Sequence, residues 1–242
     1  MSSAARRTPE SSSFEARLRE LDGTGLDDAG FVTVPGLLTA GECDALRELY
    51  PDEARFRSRI VMARHGFGRG EYQYFAAPLP ELVAQLREAA YPALAPIANR
   101  WYERLGIERR FPPDLAGLLE ECHAAGQTRP TPLLLKYGPD DYNCLHQDVY
   151  GELVFPIQLA VLLSQPGDDF DGGEFVLVEQ RPRRQSPAEV VPLRRGDAVV
   201  FAVRERPVAG TRGDYRVQMR HGVSRLRRGE RFTLGVIFHD AS

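Results

Sequence analysis

His146 and Asp148 stand two apart in the run Leu145-His146-Gln147-Asp148. In an extended strand, side chains two apart leave the same face, so this imidazole and this carboxylate can reach one metal ion. A third ligand is needed, and the chain offers five histidines, at 65, 123, 146, 221 and 239. His221 is the best placed. It follows an expected strand at 217–219 and precedes Gly222, a residue that frees the backbone to turn. Two imidazoles and one carboxylate fill one face of an octahedron and leave three positions open, an arrangement suited to Fe(II) chemistry with O2. The open positions can take a bidentate 2-oxo acid and O2. A lone His-x-Asp is a weak signal, since such tripeptides arise by chance and sit as well in surface turns.

Arg231 strengthens the signal. It lies ten residues after His221, inside an apolar stretch that reads as a strand. A guanidinium buried there is unfavourable unless an anion meets it. Its fork matches a carboxylate with two parallel hydrogen bonds, so the distal carboxylate of a dicarboxylic 2-oxo acid is a natural partner. Thr233 shares its face and can add a hydroxyl. Tyr137, on the strand before His146, can add another.

Other residues carry blander readings. His65 reads first as a loop histidine and second as a substrate contact. Phe67, Tyr72, Tyr74 and Phe75 read first as packing for their loop and second as rings that stack on bases. His123 is expected on a helix surface and His239 at a strand end. Cys144 shares strand parity with His146 and Asp148, and a buried, inert thiol is the simpler expectation. Asp168, Asp169 and Asp171 lack the spacing of a calcium loop. The glycines at 66, 68 and 70 do not stand between a strand and a helix, as a phosphate loop requires.

These residues need elements to position them. Residues 1–13 are polar and are expected to be a disordered tail. Residues 14–128 read as a helical and irregular support region, with a strand at 31–34, a helix capped by Thr39, a loop or irregular hairpin at 60–76 and a helix at 114–124. The stretch 79–105 is helical in period, and Pro92 and Pro96 are expected to break it in two. After Pro130 short β-rich runs follow one another, at 133–137, 154–163, 174–178, 190–193, 198–203, 217–219 and 231–238. Many short strands between turns argue for a sandwich or barrel over 129–242. The fold class is therefore α+β and mainly β.

Composition sets the outer bounds. The 242 residues are 43% hydrophobic and 27% charged, which is ordinary for a globular chain. No run approaches the roughly 18 apolar residues of a membrane span, so no membrane partner is expected, and a cytoplasmic location is. The three cysteines form no paired framework and suit a reducing compartment. Net charge is −3, yet residues 181–231 hold fourteen arginines and five acidic residues, a local +9 that points weakly to an anionic ligand or polymer.

From 133 to 238 the chain resembles the Fe(II)/2-oxoglutarate dioxygenase superfamily, nearest its prolyl-hydroxylase-like branch. The matching pieces are Lys136-Tyr137-Gly138-Pro139, His146-Gln147-Asp148, Phe170-Asp171-Gly172-Gly173-Glu174-Phe175, Gly196-Asp197-Ala198-Val199-Val200-Phe201, His221-Gly222-Val223 and Gly229-Glu230-Arg231-Phe232-Thr233-Leu234. The resemblance implies a double-stranded β-helix, or jelly roll, braced by N-terminal helices. It implies His146, Asp148 and His221 as metal and catalytic residues, with Arg231, Thr233 and Tyr137 holding the cosubstrate. It also implies Fe(II), 2-oxoglutarate and O2 as cofactors, and oxidation of a C–H bond with release of succinate and CO2. Residues 31–50 and 62–75 further resemble a bacterial group that oxidises alkylated nucleic-acid bases, although Arg231 stands where prolyl-hydroxylase-like proteins place theirs. An alkylated base is the preferred substrate. A prolyl side chain, a small molecule and a non-catalytic binding module on the same scaffold are the alternatives.

Overall fold

The computed structural model describes residues 14–242 apart from Asp22 and Pro182, so the expected disordered tail lies outside the described residues. In chain order the elements are α1 (Phe14–Arg19), α2 (Thr24–Ala29), β1 (Phe31–Val34), α3 (Ala40–Glu48), β2 (Phe56–Val61), β3 (Gly68–Arg69), β4 (Glu71–Phe75), α4 (Glu81–Arg104), α5 (Leu115–Ala124), β5 (Leu133–Tyr137), β6 (Tyr142–His146), β7 (Ile157–Leu162), β8 (Phe170–Gly172), β9 (Phe175–Gln180), β10 (Ala188–Val191), β11 (Ala198–Ala202), β12 (Glu205–Gly210), β13 (Gly213–Val223), β14 (Leu226–Gly229) and β15 (Arg231–Val236).

The strands form a jelly roll. A seven-stranded antiparallel sheet runs in the order β1-β11-β7-β15-β5-β4-β2. A second sheet runs β10-β9-β13-β6-β3, with β12 paired to β13, and β14 pairs with β8. Three strands of the larger sheet, β1, β2 and β4, come from residues before 128.

Both faces of the larger sheet are covered. Leu159 and Val161, Val200, and Leu234 and Val236 join the core beneath α4, which also holds Leu86, Tyr91, Leu94 and Trp101. The alternate residues Ala160, Val199 and Phe201 pack instead with Phe175 and Leu177 of the second sheet. Period-two alternation therefore puts apolar residues on both sides, and these strands read as continuous hydrophobic runs. It also directs Gln158, Arg231, Thr233 and Tyr137 to the interior face, between the sheets. Thr39 opens α3 with a full capping box, its hydroxyl meeting the Glu42 N–H while the Glu42 carboxylate accepts the Thr39 N–H.

Two expectations are corrected and one is borne out. α4 is one continuous helix through Pro92 and Pro96. The prolines lie four apart on the exposed side, so the carbonyls they leave unpaired face water while the buried stripe holds the helix together. The expected strand at 217–219 is the middle of the eleven-residue β13, so His221 lies inside the strand and does not follow it. The stretch 60–76 is an irregular hairpin, with β2 and β4 paired antiparallel and continuing the larger sheet through β5. No described helix is long and apolar enough to cross a membrane.

A candidate metal centre beside a buried arginine

His146 ends β6, and it pairs in register with His221 on β13. Two positions on, Val223 pairs with Asn143, so Cys144 and Leu145 together oppose Gly222 alone. This is a β-bulge, and it cancels the parity argument for Cys144. Asn143 and His146 both turn inward, Asn143 to the Tyr137 hydroxyl at 3.4 Å, while Cys144 and Leu145 are exposed. The expected buried Cys144 is thus corrected to a surface thiol. Gly222 is needed for close approach across the bulge, since a Cβ there would lie 2.7 Å from the Asn143 carbonyl oxygen.

Past β6 the chain is fixed by Gln147. Its side-chain amide donates to the Met219 carbonyl at 2.8 Å and to the Gln218 side chain at 3.0 Å, which ties the segment to β13. Asp148 is thereby brought back to the two histidines. His146 Nε2 lies 3.4 Å from Asp148 Oδ1, and His221 Nε2 lies 3.3 Å from Asp148 Oδ2. The three ligand atoms all fall within 4.8 Å of one another. Adjacent ligands about 2.1 Å from a divalent ion sit about 3 Å apart, so the set fits such an ion with little adjustment.

The surroundings prepare each ligand. The Cys144 carbonyl can only accept, so His146 Nδ1 donates to it at 2.8 Å and Nε2 is left free to bind metal. Asp148 accepts from the Tyr150 hydroxyl at 2.8 Å and from the Gln158 amide at 2.9 Å. Burial pushes the Asp148 carboxyl up, but the imidazoles of His146 and His221 beside it outweigh burial and hold the group well below the usual carboxylate range. Burial, then the charge of His146, pushes His221 down toward the neutral form that ligates metal. Phe201 and Phe175 flank the His221 ring at 4.7 Å and 5.9 Å between centroids. His146 keeps a third of its side chain exposed and marks the mouth of the site.

Arg231, Thr233 and Tyr137 also come together. Arg231 pairs in register with Tyr137, and its guanidinium lies 5.6 Å from the centre of that ring. It donates to Thr233 Oγ1 at 2.6 Å. Two other arginines are buried among the described residues, and each is met by a carboxylate, Arg87 by Asp240 and Arg206 by Glu179. Arg231 makes no ion pair among the described residues, Glu174 acting on it only from beyond ion-pair distance, and its Nε lacks any hydrogen-bond partner among them. Burial pushes its pKa down to about 10, which leaves it a cation at neutral pH. A cavity of about 250 Å³ opens on it, lined by Leu162, Phe170, Gly173, Phe175 and Leu193. Phe175 is shared with the wall behind His221.

Sequence reasoning missed Tyr150 and Gln158, the two side chains that hold Asp148. Gln158 left a signal, an amide inside the apolar run Ile157-Gln158-Leu159, where burial needs a partner. Tyr150 left only its spacing from Asp148. His239 is corrected from a strand-end residue to a fully buried one beyond β15, whose Nδ1 accepts the Phe155 N–H at 3.2 Å. His123 lies on α5 with half its side chain exposed, and its Nε2 is 3.1 Å from Asp240.

Residues 70–241 match the Oxygenase-NA family, described as an oxygenase catalysing oxidative methylation of damaged DNA. Two uncharacterized proteins of Mycobacterium tuberculosis, MT2286 of strain CDC 1551 / Oshkosh and Rv2227 of strain ATCC 25618 / H37Rv, are each 52% identical over 168 residues, covering 69% of this chain and 72% of theirs. A Pseudomonas putida prolyl-4-hydroxylase superposes with a TM-score of 0.52 at 16% identity, covering 95% of this chain and 100% of that one. An oxidoreductase of the 2OG-Fe(II) oxygenase family from Burkholderia pseudomallei gives 0.52 at 17% identity, covering 98% and 95%. The two solved structures share the jelly-roll fold with this chain.

Proposed function

The chain belongs to the Oxygenase-NA family and is an Fe(II)- and 2-oxoglutarate-dependent oxygenase, and from that premise we propose that it removes alkyl groups from nucleic-acid bases. In this reading His146, Asp148 and His221 hold the iron. Arg231, with Thr233 and the Tyr137 hydroxyl, takes the distal carboxylate of 2-oxoglutarate. The observation that carries the reading is Arg231, a buried guanidinium that makes no ion pair among the described residues and lies on the interior face shared with the ligand set. Burial of such a charge is tolerated when an anion completes it.

Iron(II) bound here supplies oxidation of a C–H bond by O2, coupled to decarboxylation of 2-oxoglutarate. One oxygen atom ends in the new carboxylate of succinate and the other in a hydroxyl on the substrate carbon, with CO2 released. On an N-methyl group the product is a hemiaminal. Its C–N bond then breaks, the proton of the hydroxyl passes to the base nitrogen, and formaldehyde leaves. The methyl group is therefore removed. The chain's own residues bind and orient. Tyr150 and Gln158 fix the Asp148 carboxylate, Phe175 and Phe201 keep water from His221, and Arg231 sets the direction in which the cosubstrate lies. The reading includes residues 129–242 as the oxygenase core, residues 14–128 as its support, and a cytoplasmic location.

The test couples succinate release to formaldehyde release over two panels, N-methylated oligonucleotides and proline-containing peptides. Formaldehyde in step with succinate on the oligonucleotides is the expected result. Stimulation by peptides alone would overturn the substrate assignment, and stimulation by neither would point to a small molecule.

A further inference from the structure

We infer that the turn at residues 64–69 receives an unpaired base of the substrate strand, with Phe67 as the stacking face and Arg64 and Arg69 on the flanking phosphates. The inference rests on the nucleic-acid reading above. Four large hydrophobic side chains are exposed among the described residues: Phe67 at 47%, Leu145 at 42%, Val149 at 39% and Val190 at 51%. Two of them adjoin metal ligands in the chain, and Phe67 is held against the strand that ends in His146. Leu145 precedes His146, Val149 follows Asp148, and the Phe67 carbonyl accepts the Cys144 N–H at 2.9 Å. Exposed apolar surface gathered at the mouth of a site is contact surface for a ligand.

The Phe67 ring is held in place before any ligand arrives. It stacks on His65 with centroids 5.3 Å apart and planes 21° apart. The Phe67 N–H donates to the Met62 carbonyl at 3.2 Å, and Gly68 pairs with Asn143 on β6. A Cβ on Gly68 would lie 2.4 Å from the Tyr142 carbonyl oxygen, so only glycine brings the turn this close to the metal strand. A ring so fixed loses little entropy on stacking.

Charge selects the partner. Arg55, just before β2, and Arg59, within it, are paired with Asp52 and Glu71. Arg64 and Arg69 are exposed and make no ion pair among the described residues. The order Arg64-His65-Gly66-Phe67-Gly68-Arg69 thus sets one aromatic face between two free guanidiniums, the pairing of stacking and phosphate contact that single strands take. A duplex hides its base faces, so the turn favours a single strand or a locally opened one.

The experiment measures fluorescence anisotropy of a labelled single-stranded DNA oligonucleotide, and of its duplex, on protein loaded with Fe(II) and 2-oxoglutarate without O2. Tighter binding of the single strand is expected. Phe67→Ala should weaken it about tenfold, and Phe67→Trp should keep it. Arg64→Gln with Arg69→Gln should reduce the salt slope of log affinity by about 1.4. Thermal melts of each variant report folding. If the native protein binds the strand and Phe67→Ala binds it as well, or if Phe67→Trp loses as much as the alanine variant, the stacking role fails while the nucleic-acid reading stands. If the native protein binds neither form, that reading falls and this inference with it.

Discussion

At the scale of single residues, the account turns on groups whose burial demands a partner. Arg231 is the sharpest case. Arg231→Ala removes a charge-assisted, forked contact of a kind that contributes about 1.5–3 kcal/mol, so 2-oxoglutarate affinity measured by calorimetry should fall by roughly tenfold to a hundredfold. Arg231→Lys keeps the charge but not the fork, and should raise the cosubstrate KM more than it lowers kcat. Gln158→Leu keeps the volume in the strand while taking a hydrogen bond from Asp148. Positioning residues of this kind typically change metal affinity by about tenfold to a hundredfold. Fe(II) titration of the variant should show that loss, and an unchanged affinity would remove Gln158 from the site. His146, Asp148, His221 and Arg231 could be picked out in the sequence because their types stand out against their surroundings. Tyr150 could not, because a tyrosine near a turn looks the same whether its hydroxyl meets water or Asp148.

At the scale of elements, the main apolar strands were legible and strand detail was not. The apolar runs marked β5, β7, β11 and β15 because strands covered on both faces carry few polar residues. β12 and the outer half of β13 escaped notice because they form an arginine-rich hairpin at a sheet edge, where the pattern is polar and Pro207 interrupts it. The bulge at Cys144 and Leu145 could not be foreseen, since strict alternation assumes a register that one extra residue shifts. It also changes the role of Gly222, from a turn residue to a point of close contact. Gly222→Ala should push the bulge away from β13, lower stability by about 1–3 kcal/mol and weaken iron binding together. Thermal melting with and without Fe(II) checks both. An alanine variant with native stability and native iron affinity would show that the contact is not needed. The unbroken α4 makes a related point. Proline breaks a helix whose freed carbonyls would be buried, and here they face water.

At the scale of the whole molecule, the helices and the second sheet cover opposite faces of the larger sheet, and residues 237–240 are locked against the helical side. Arg87 on α4 holds the carbonyls of Ile237 and Phe238 and the carboxylate of Asp240. Beside them, burial holds His239 down to about 4, and its Nδ1 accepts a hydrogen bond that protonation would abolish. The unfolded chain binds a proton at about pH 6.5 and the folded one only near 4. The unfolded state therefore binds more protons between those values, and stability is full above about pH 6.5 and falls as the pH drops through the window, by about 3 kcal/mol in all. Denaturant unfolding of the iron-free protein between pH 7 and 4 should show that loss, and His239→Leu should flatten the slope whatever its effect at pH 7. The central claim is that an Fe(II) centre built on His146, Asp148 and His221 turns over 2-oxoglutarate. The most direct measurement is succinate release by the native protein and by His221→Ala, with circular dichroism to verify that both are folded. The account predicts Fe(II)-dependent release by the native protein and none above background by the variant; equal release by both would contradict it.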